Sequence, residues 1–318
     1  MTSQVMPGKT ISEKILSAKS GRDARAGDLV ICNVDYAMGT DGSAPMAIDY
    51  FEQMGGTRVF DADRIVFVMD HYNPPAGSTA AALQDRMREF ARKHAITIHD
   101  VGDGISHQLM VETGRTRPGG LLIGADSHSV TGGALNAFAT GIGSSDLAAA
   151  MICGRIWLRV PQTIRVVLEG VPPSGVYPKD IALALAERLT ADGAAYQSIE
   201  FDGPAAAAMD LEDRLVLSNM SVEMGAKAGI FRADAATFAY LKTRTTEKLQ
   251  PVEPEPDRRQ QGIAYTRRPE PGRTDRQLLA VLSAAPTHSE ATFRLNRRST
   301  PTLENRHPEL NMVAGCRT

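Results

Sequence analysis

The sequence predicts an α/β fold built on mostly parallel sheets with helices on their faces. Two observations carry that expectation. Short apolar runs alternate with amphipathic helical stretches over the first 243 residues. Several of those runs end in a polar segment rich in Asp, His, Ser and Gly. Alternation of the first kind builds parallel sheets, and ligand sites in such sheets gather at the carboxyl ends of strands.

The elements follow in order. Residues Arg64 to Met69 (RIVFVM) read as a buried strand. Ser78 to His94 reads as a helix, with Leu83, Met87, Phe90 and Ala91 on one face. Ile96 to Ile98 and Gly120 to Ile123 read as further strands. The Gly141-Ile-Gly-Ser-Ser-Asp146 stretch lacks the Gly-Lys-Ser/Thr ending of a phosphate loop. It reads instead as a tight turn into a helix over Asp146 to Arg155, with Ser144 or Ser145 as the cap. On that helix Cys153 is expected as a small buried side chain. Thr163 to Leu168 is a strand, and Lys179 to Leu189 a helix with Asp180 near its start to complement the dipole.

From Arg244 to Thr318 the composition turns to Arg, Pro, Thr and Glu with few aromatics. Only Gln277 to Ala285 keeps an apolar stripe. This division predicts an α/β region over 1–243 and a poorly ordered tail over 244–318.

The 318 residues are 42% hydrophobic and 23% charged, with a net charge of −2. That is a globular composition with no excess of positive charge for nucleic acid or an anionic membrane. No run approaches the roughly 18 apolar residues of a membrane span, and the start has no signal core. The expected location is the cytoplasm or an organelle matrix. Three cysteines, Cys32, Cys153 and Cys316, are too few for a disulfide framework.

Three histidines stand in polar or glycine-rich segments. Asp70-His71 directly follows the first strand, where a carboxylate can orient the ring for acid–base work; a surface pair in a loop is the alternative. His107 lies in Gly102-Asp-Gly-Ile-Ser-His-Gln108, and either a ligand-facing or a plain turn histidine fits there. Asp126, Ser127 and His128 follow the Leu121–Ile123 strand. They read as a polar pocket for a small oxygen-rich ligand, or as a polar loop. A hydrolase triad is disfavoured, because Ser127 and His128 are sequence neighbours and no Gly-x-Ser-x-Gly turn is present. Asn219 and Glu223, at i and i+4, share one face if their segment is a helix; a solvated helix face is the other reading.

The order of these motifs is more specific than any one of them. Gly8-Lys-Thr-Ile-Ser-Glu-Lys-Ile15, DGSAP with Asp41 and Pro45, Asp70-His71, GISHQ, PGGLLIGADSHSVTGGALNAFATGIGSSD, VPQTIRVVLEG and LSNMSVEMGAK succeed one another along the chain. Together, over roughly residues 7–243, they resemble the aconitase family in its isopropylmalate dehydratase or homoaconitase branch.

The resemblance implies three-layer sheets of aconitase type. Domains 1 and 2, two related sheet domains, would be largely present within 1–243, with the cluster-binding remainder missing. It implies a large subunit that dehydrates and rehydrates a hydroxy di- or tricarboxylate, 3-isopropylmalate first, with homoaconitate or a dimethylmalate-type acid open. It implies a [4Fe–4S] cluster and a small-subunit partner carrying a swivelling domain. By the same resemblance Asp70 and His71 handle the proton of the departing hydroxyl. His107 and Asp126 line the open iron and its water. His128 contacts substrate or water, oriented by Glu223, while Asn219 helps fix the surroundings, and Asp41 and Ser127 belong to the substrate pocket.

The cysteines depart from the family's pattern. Its ligands stand in a Gly-Ser-Cys-Thr-Asn motif and a later Cys-x-x-Cys pair. This sequence has no Cys-x-x-Cys, and Cys316 in Val313-Ala-Gly-Cys-Arg-Thr318 only echoes the first motif. The chain therefore reads as truncated, through a broken, mis-spliced or frame-shifted gene, or as a diverged family member, with apolar surface expected near 134–150 and 215–230. A non-catalytic binding or regulatory subunit is the alternative function. An enzyme holding another metal on His71, His107, His128 and Asp126 ranks last, because their spacing is not a metal signature.

Overall fold

The structure, a computed structural model, describes residues 8–255 together with the backbone of Gln261–Gly262 and Ala291–Arg294. The chain opens with helix α1 (Ile11–Ser20), capped by reciprocal bonds between Thr10 and Glu13. Strands β1 (Leu29–Asn33) and β2 (Tyr36–Thr40) follow, then α2 (Ala44–Gln53), β3 (Ile65–Val68), α3 (Ser78–His94) and β4 (Thr97–His99). Next come α4 (Ser106–Glu112), β5 (Leu121–Gly124), a 3-10 segment (Ser127–Leu135), β6 (Phe138–Gly141) and α5 (Ser144–Cys153).

The first sheet has the order β4-β3-β2-β5-β6 and is parallel throughout. The chain works outward from β2 to β4, then crosses back to β5 beside β2. That reversal is a switch point of the kind where α/β sheets open a crevice. All four residues of β3 are buried, as its unbroken apolar run requires. Phe51 and Phe90 pack edge to face over them, with ring centroids 5.2 Å apart.

The antiparallel ribbon of β1 and β7 (Arg155–Arg159) leads to a second parallel sheet. Its elements are β8 (Thr163–Glu169), α6 (Pro178–Leu189), β9 (Ser198–Asp202), α7 (Pro204–Ala208), α8 (Leu211–Met220), β10 (Ala228–Phe231) and α9 (Ala235–Leu241). The order is β10-β9-β8, with β11 (Gln261–Gly262) and β12 (Ala291–Arg294) on the far edge of β8. Among the described residues no helix is long and apolar enough to cross a membrane.

Buried polar contacts tie the two sheets together. Glu200 of β9, 2% exposed, accepts the backbone N–H of Ile11 at 2.7 Å. It thereby satisfies an amide that the first turn of α1 leaves unpaired. Asn136, fully buried, donates to the Phe231 and Val252 carbonyls. The 127–135 segment presses on β10 so closely that a Cβ at Gly133 would sit 1.9 Å from the Gly229 oxygen. Residues after Arg244 continue this packing as far as Glu255, which bonds Lys9.

Five local expectations are corrected. Helix α5 begins at Ser144, and its cap is Gly143 with no side-chain bond; Ser144 donates to the Ser43 carbonyl instead. Cys153 is exposed, because it falls at the solvent side of the last turn of α5. His107 sits in the first turn of α4, not in a glycine-rich loop. Asn219 and Glu223 do not share one α-helix, since α8 stops at Met220 and a 3-10 turn carries Glu223. The 134–150 and 215–230 stretches bury most of their apolar side chains. The exposed large ones include Leu29, Ile31 and Trp157 on the outer face of the β1–β7 ribbon. The Gln277–Ala285 stripe and Cys316 lie outside the described residues.

Candidate active site

Strand ends build the site. Asp41 follows β2, Asp70 and His71 follow β3, and Asp126 to His128 follow β5. The loop after β4 leads to His107 at the start of α4. The switch point of the first sheet thus brings four segments to one crevice.

Asp126 is the hub. Its Oδ2 lies 3.0 Å from His71 Nε2, and its Oδ1 lies 3.0 Å from His107 Nε2. The His128 backbone N–H also donates to Oδ1 at 2.8 Å. Burial alone would raise the Asp126 pKa. The hydrogen bond and charge of His107, the His128 amide and the charge of His71 more than reverse this, and hold the carboxyl well below the usual range. Gly141 leaves space for the Asp126–Ser127 backbone, because a Cβ there would come within 2.8 Å of the Asp126 backbone carbonyl oxygen and the Ser127 Cα.

His71 stands between two carboxylates. Its Nδ1 is 2.7 Å from Asp70 Oδ1, and its Nε2 faces Asp126. Only the imidazolium donates from both ring nitrogens, so this geometry favours the protonated ring. Burial works against that charge. The hydrogen bond and charge of Asp70, with the charges of Asp126 and Asp41, outweigh it and raise the His71 pKa. Asp70 is itself fixed, since its Oδ2 accepts the Ser106 N–H at 2.7 Å.

His128 completes the rim. Its Nε2 lies 3.0 Å from Glu223 Oε1, and its Nδ1 is 3.2 Å from Ser127 Oγ. Asn219 donates to Thr131 Oγ1 at 2.9 Å, one turn behind His128. Asp41 stands behind the pocket wall. It is fully buried, and its two oxygens accept from His71 N–H, Tyr72 N–H and Gln84 Nε2. Gln84 has no local motif, so sequence reading missed it. Among the described residues, Asp41, Asp70 and His71 form one group whose ligand atoms lie within 4.8 Å. Hydrogen bonds already occupy these atoms, which accounts for the grouping without an ion.

A cavity of about 460 Å³ opens beside Ser127. Val130, Ile142, Leu158 and Val222 give it apolar walls, and Lys227 adds a cation. The two described thiols stand elsewhere. Cys32 is fully buried in β1, with Sγ 3.7 Å from the Leu16 carbonyl, and burial pushes its pKa up to about 11. Cys153 Sγ lies on the Arg155 carbonyl at 3.4 Å.

Comparison with known proteins agrees with this architecture. Residues 13–278 match the model of the aconitase family (aconitate hydratase). The chain is 47% identical over 253 residues to the 3-isopropylmalate dehydratase large subunit 1 of Methanopyrus kandleri, covering 79% of this chain and 60% of that protein. It is 45% identical over 253 residues to the 3-isopropylmalate dehydratase large subunit of Syntrophus aciditrophicus, with the same coverage. The 3-isopropylmalate dehydratase large subunit 2 of Archaeoglobus fulgidus is 47% identical over 234 residues, 74% of this chain and 56% of that protein. The chain spans about 60% of the length of the first two relatives.

Proposed function

This chain belongs to the aconitase family, and we propose that it supplies the proton-handling pocket of a hydro-lyase large subunit acting on a hydroxy-dicarboxylate such as 3-isopropylmalate. The observation that carries this reading is His71 held between Asp70 and Asp126. A hydroxyl leaves carbon readily only as water. His71 is placed to give its Nε2 proton to that oxygen, and Asp126 to orient it. In the reverse direction the same pair takes a proton from the incoming water. His107 and His128 hold the rim, the latter braced by Glu223.

The apolar cavity beside Ser127 supports a substrate with an alkyl branch, and Lys227 offers a partner for a carboxylate. Among the described residues, those gathered around Asp126 are carboxylates, imidazoles and a hydroxyl, not arginines. A second carboxylate clamp and the base that removes the carbon-bound proton are therefore assigned to a small-subunit partner, which the relatives' designation as large subunits supports.

The family implies a [4Fe–4S] cluster, held by thiolates and acting on the hydroxyl as a Lewis acid. The described residues do not fit it. Cys32 is a buried thiol in the core, Cys153 faces solvent at the end of α5, and neither reaches the histidine pocket. That placement favours a second reading, a carboxylate-binding subunit without turnover.

The test is alkene formation from 3-isopropylmalate by the chain with a small subunit, followed anaerobically in the ultraviolet. The hydro-lyase reading expects turnover that Asp126→Asn lowers by about 10³-fold or more, roughly 4 kcal/mol in the barrier. Ligand binding with no alkene would select the second reading.

A further inference from the structure

We propose that Gln84 and Asp41 form a positioning clasp that holds the Asp70–His71 pair in its working geometry. The clasp is buried, although the segment it holds is not. Gln84 is 1% exposed and Asp41 is 0% exposed, while residues 71–74 are all exposed and have no helix or strand of their own. Asp41 Oδ1 accepts the His71 N–H at 2.9 Å, and Oδ2 accepts the Tyr72 N–H at 3.0 Å. Gln84 Nε2 donates to the same Oδ2 at 3.0 Å and to the Tyr72 carbonyl at 2.7 Å. One amide group therefore grips both the carboxylate and the peptide that the carboxylate holds.

The geometry has a mechanical reading. Asp41 is anchored to the sheet, because its own N–H donates to the Val68 carbonyl of β3. Gln84 is anchored in the second turn of α3, whose Met87, Phe90 and Ala91 are in the core. The loop after β3 is thus suspended from a strand end and a helix face. Its other holds on the Asp70 side are the Met69 N–H on the His99 carbonyl and the Ser106 N–H on Asp70. A neutral amide suits this post. It satisfies a buried carboxylate without cancelling the charge that faces the His71 segment, which a lysine would do.

Only the consequence for rate rests on the function proposed above; the positioning itself does not. The experiment is residue-resolved hydrogen exchange and ring-nitrogen NMR on the full chain, comparing native protein with Gln84→Met and Gln84→Glu. Gln84→Met keeps the volume and loses the donor; Gln84→Glu keeps the shape but sets a second carboxyl against Asp41, so that at most one O–H replaces the two N–H bonds of the amide. The expected result is exchange of the Tyr72 amide at least about 10-fold faster. It is accompanied by loss of the His71 Nδ1 hydrogen-bond signature, with the Met38 and Phe67 amides unchanged. If the proposed reaction is present, kcat falls about 10-fold while KM holds. Native exchange at Tyr72 and a native His71 ring in both variants would overturn the clasp. So would unfolding of both, since that would assign the pair to global stability. A native chain without turnover would count against the function alone, since the exchange readout needs no activity.

Discussion

At the carboxyl edge of the first sheet carboxylates face imidazoles, whereas at the corresponding edge of the second they face guanidiniums. Asp126 meets His71 and His107. Asp202, at the end of β9, meets Arg165 at 2.6 Å and Arg232 at 2.9 Å. Asp234, just beyond β10, meets Arg214 at 2.5 Å. Both edges are parallel, and both keep a carboxyl below its usual range. At Asp202 burial pushes up, and the Gly203 N–H, Arg165 and Arg232 pull down harder. The partners differ in what they can release. A guanidinium keeps its proton at any ordinary pH, while an imidazole exchanges one near neutrality. The same architecture therefore yields a locked joint at one edge and, at the other, a crevice whose carboxylates face rings able to exchange a proton.

The sharpest way to break this comparison is at Arg214, which is 2% exposed and also donates to the Met209 and Ala207 carbonyls. Arg214→Met leaves those carbonyls and Asp234 Oδ2 without the guanidinium, while Asp234 Oδ1 keeps its bonds from Thr237. Urea unfolding is expected to show a loss of about 3 kcal/mol, with turnover per folded molecule unchanged. A fall in turnover without a fall in stability would move the second edge into the chemistry.

Glu223→Gln is a smaller perturbation at the first edge. Glu223 is half exposed and touches His128 from one side. The expected result is a rate about 3- to 10-fold lower with stability within about 0.5 kcal/mol of native. A rate loss as large as that of Asp126→Asn would make His128, not His71, the proton-carrying ring.

Much of the first edge was legible because the rule that places ligands after parallel strands is local. Asp70-His71 follows a short apolar run of buried-strand length, and Asp126-Ser127-His128 follows another. That Asp126 is the hub was not legible. It depends on β5 returning beside β2, a crossover that no short window of sequence contains. Gln84 was hidden for the same reason, since its partners lie 43 and 12 residues away. Asn219 and Glu223 reach neighbouring partners, Thr131 and His128, by a different device from the one their spacing suggested. Helical spacing suggested one shared face, but the turn after Met220 delivers Glu223 to His128. Arg214 reads in sequence as one more charge on a helix, and only the packing of α8 shows it buried.

The most direct measurement is an NMR titration of the His71 imidazole in native protein and in Asp126→Asn. A ring held between two carboxylates gains affinity for its proton, so its midpoint lies above the ordinary imidazole value of about 6.5, and the ring stays protonated to higher pH. Removing the Asp126 charge should bring that midpoint down. A native midpoint at or below the ordinary value, unmoved by Asp126→Asn, would contradict His71 as the proton donor and with it the distinction between the two edges.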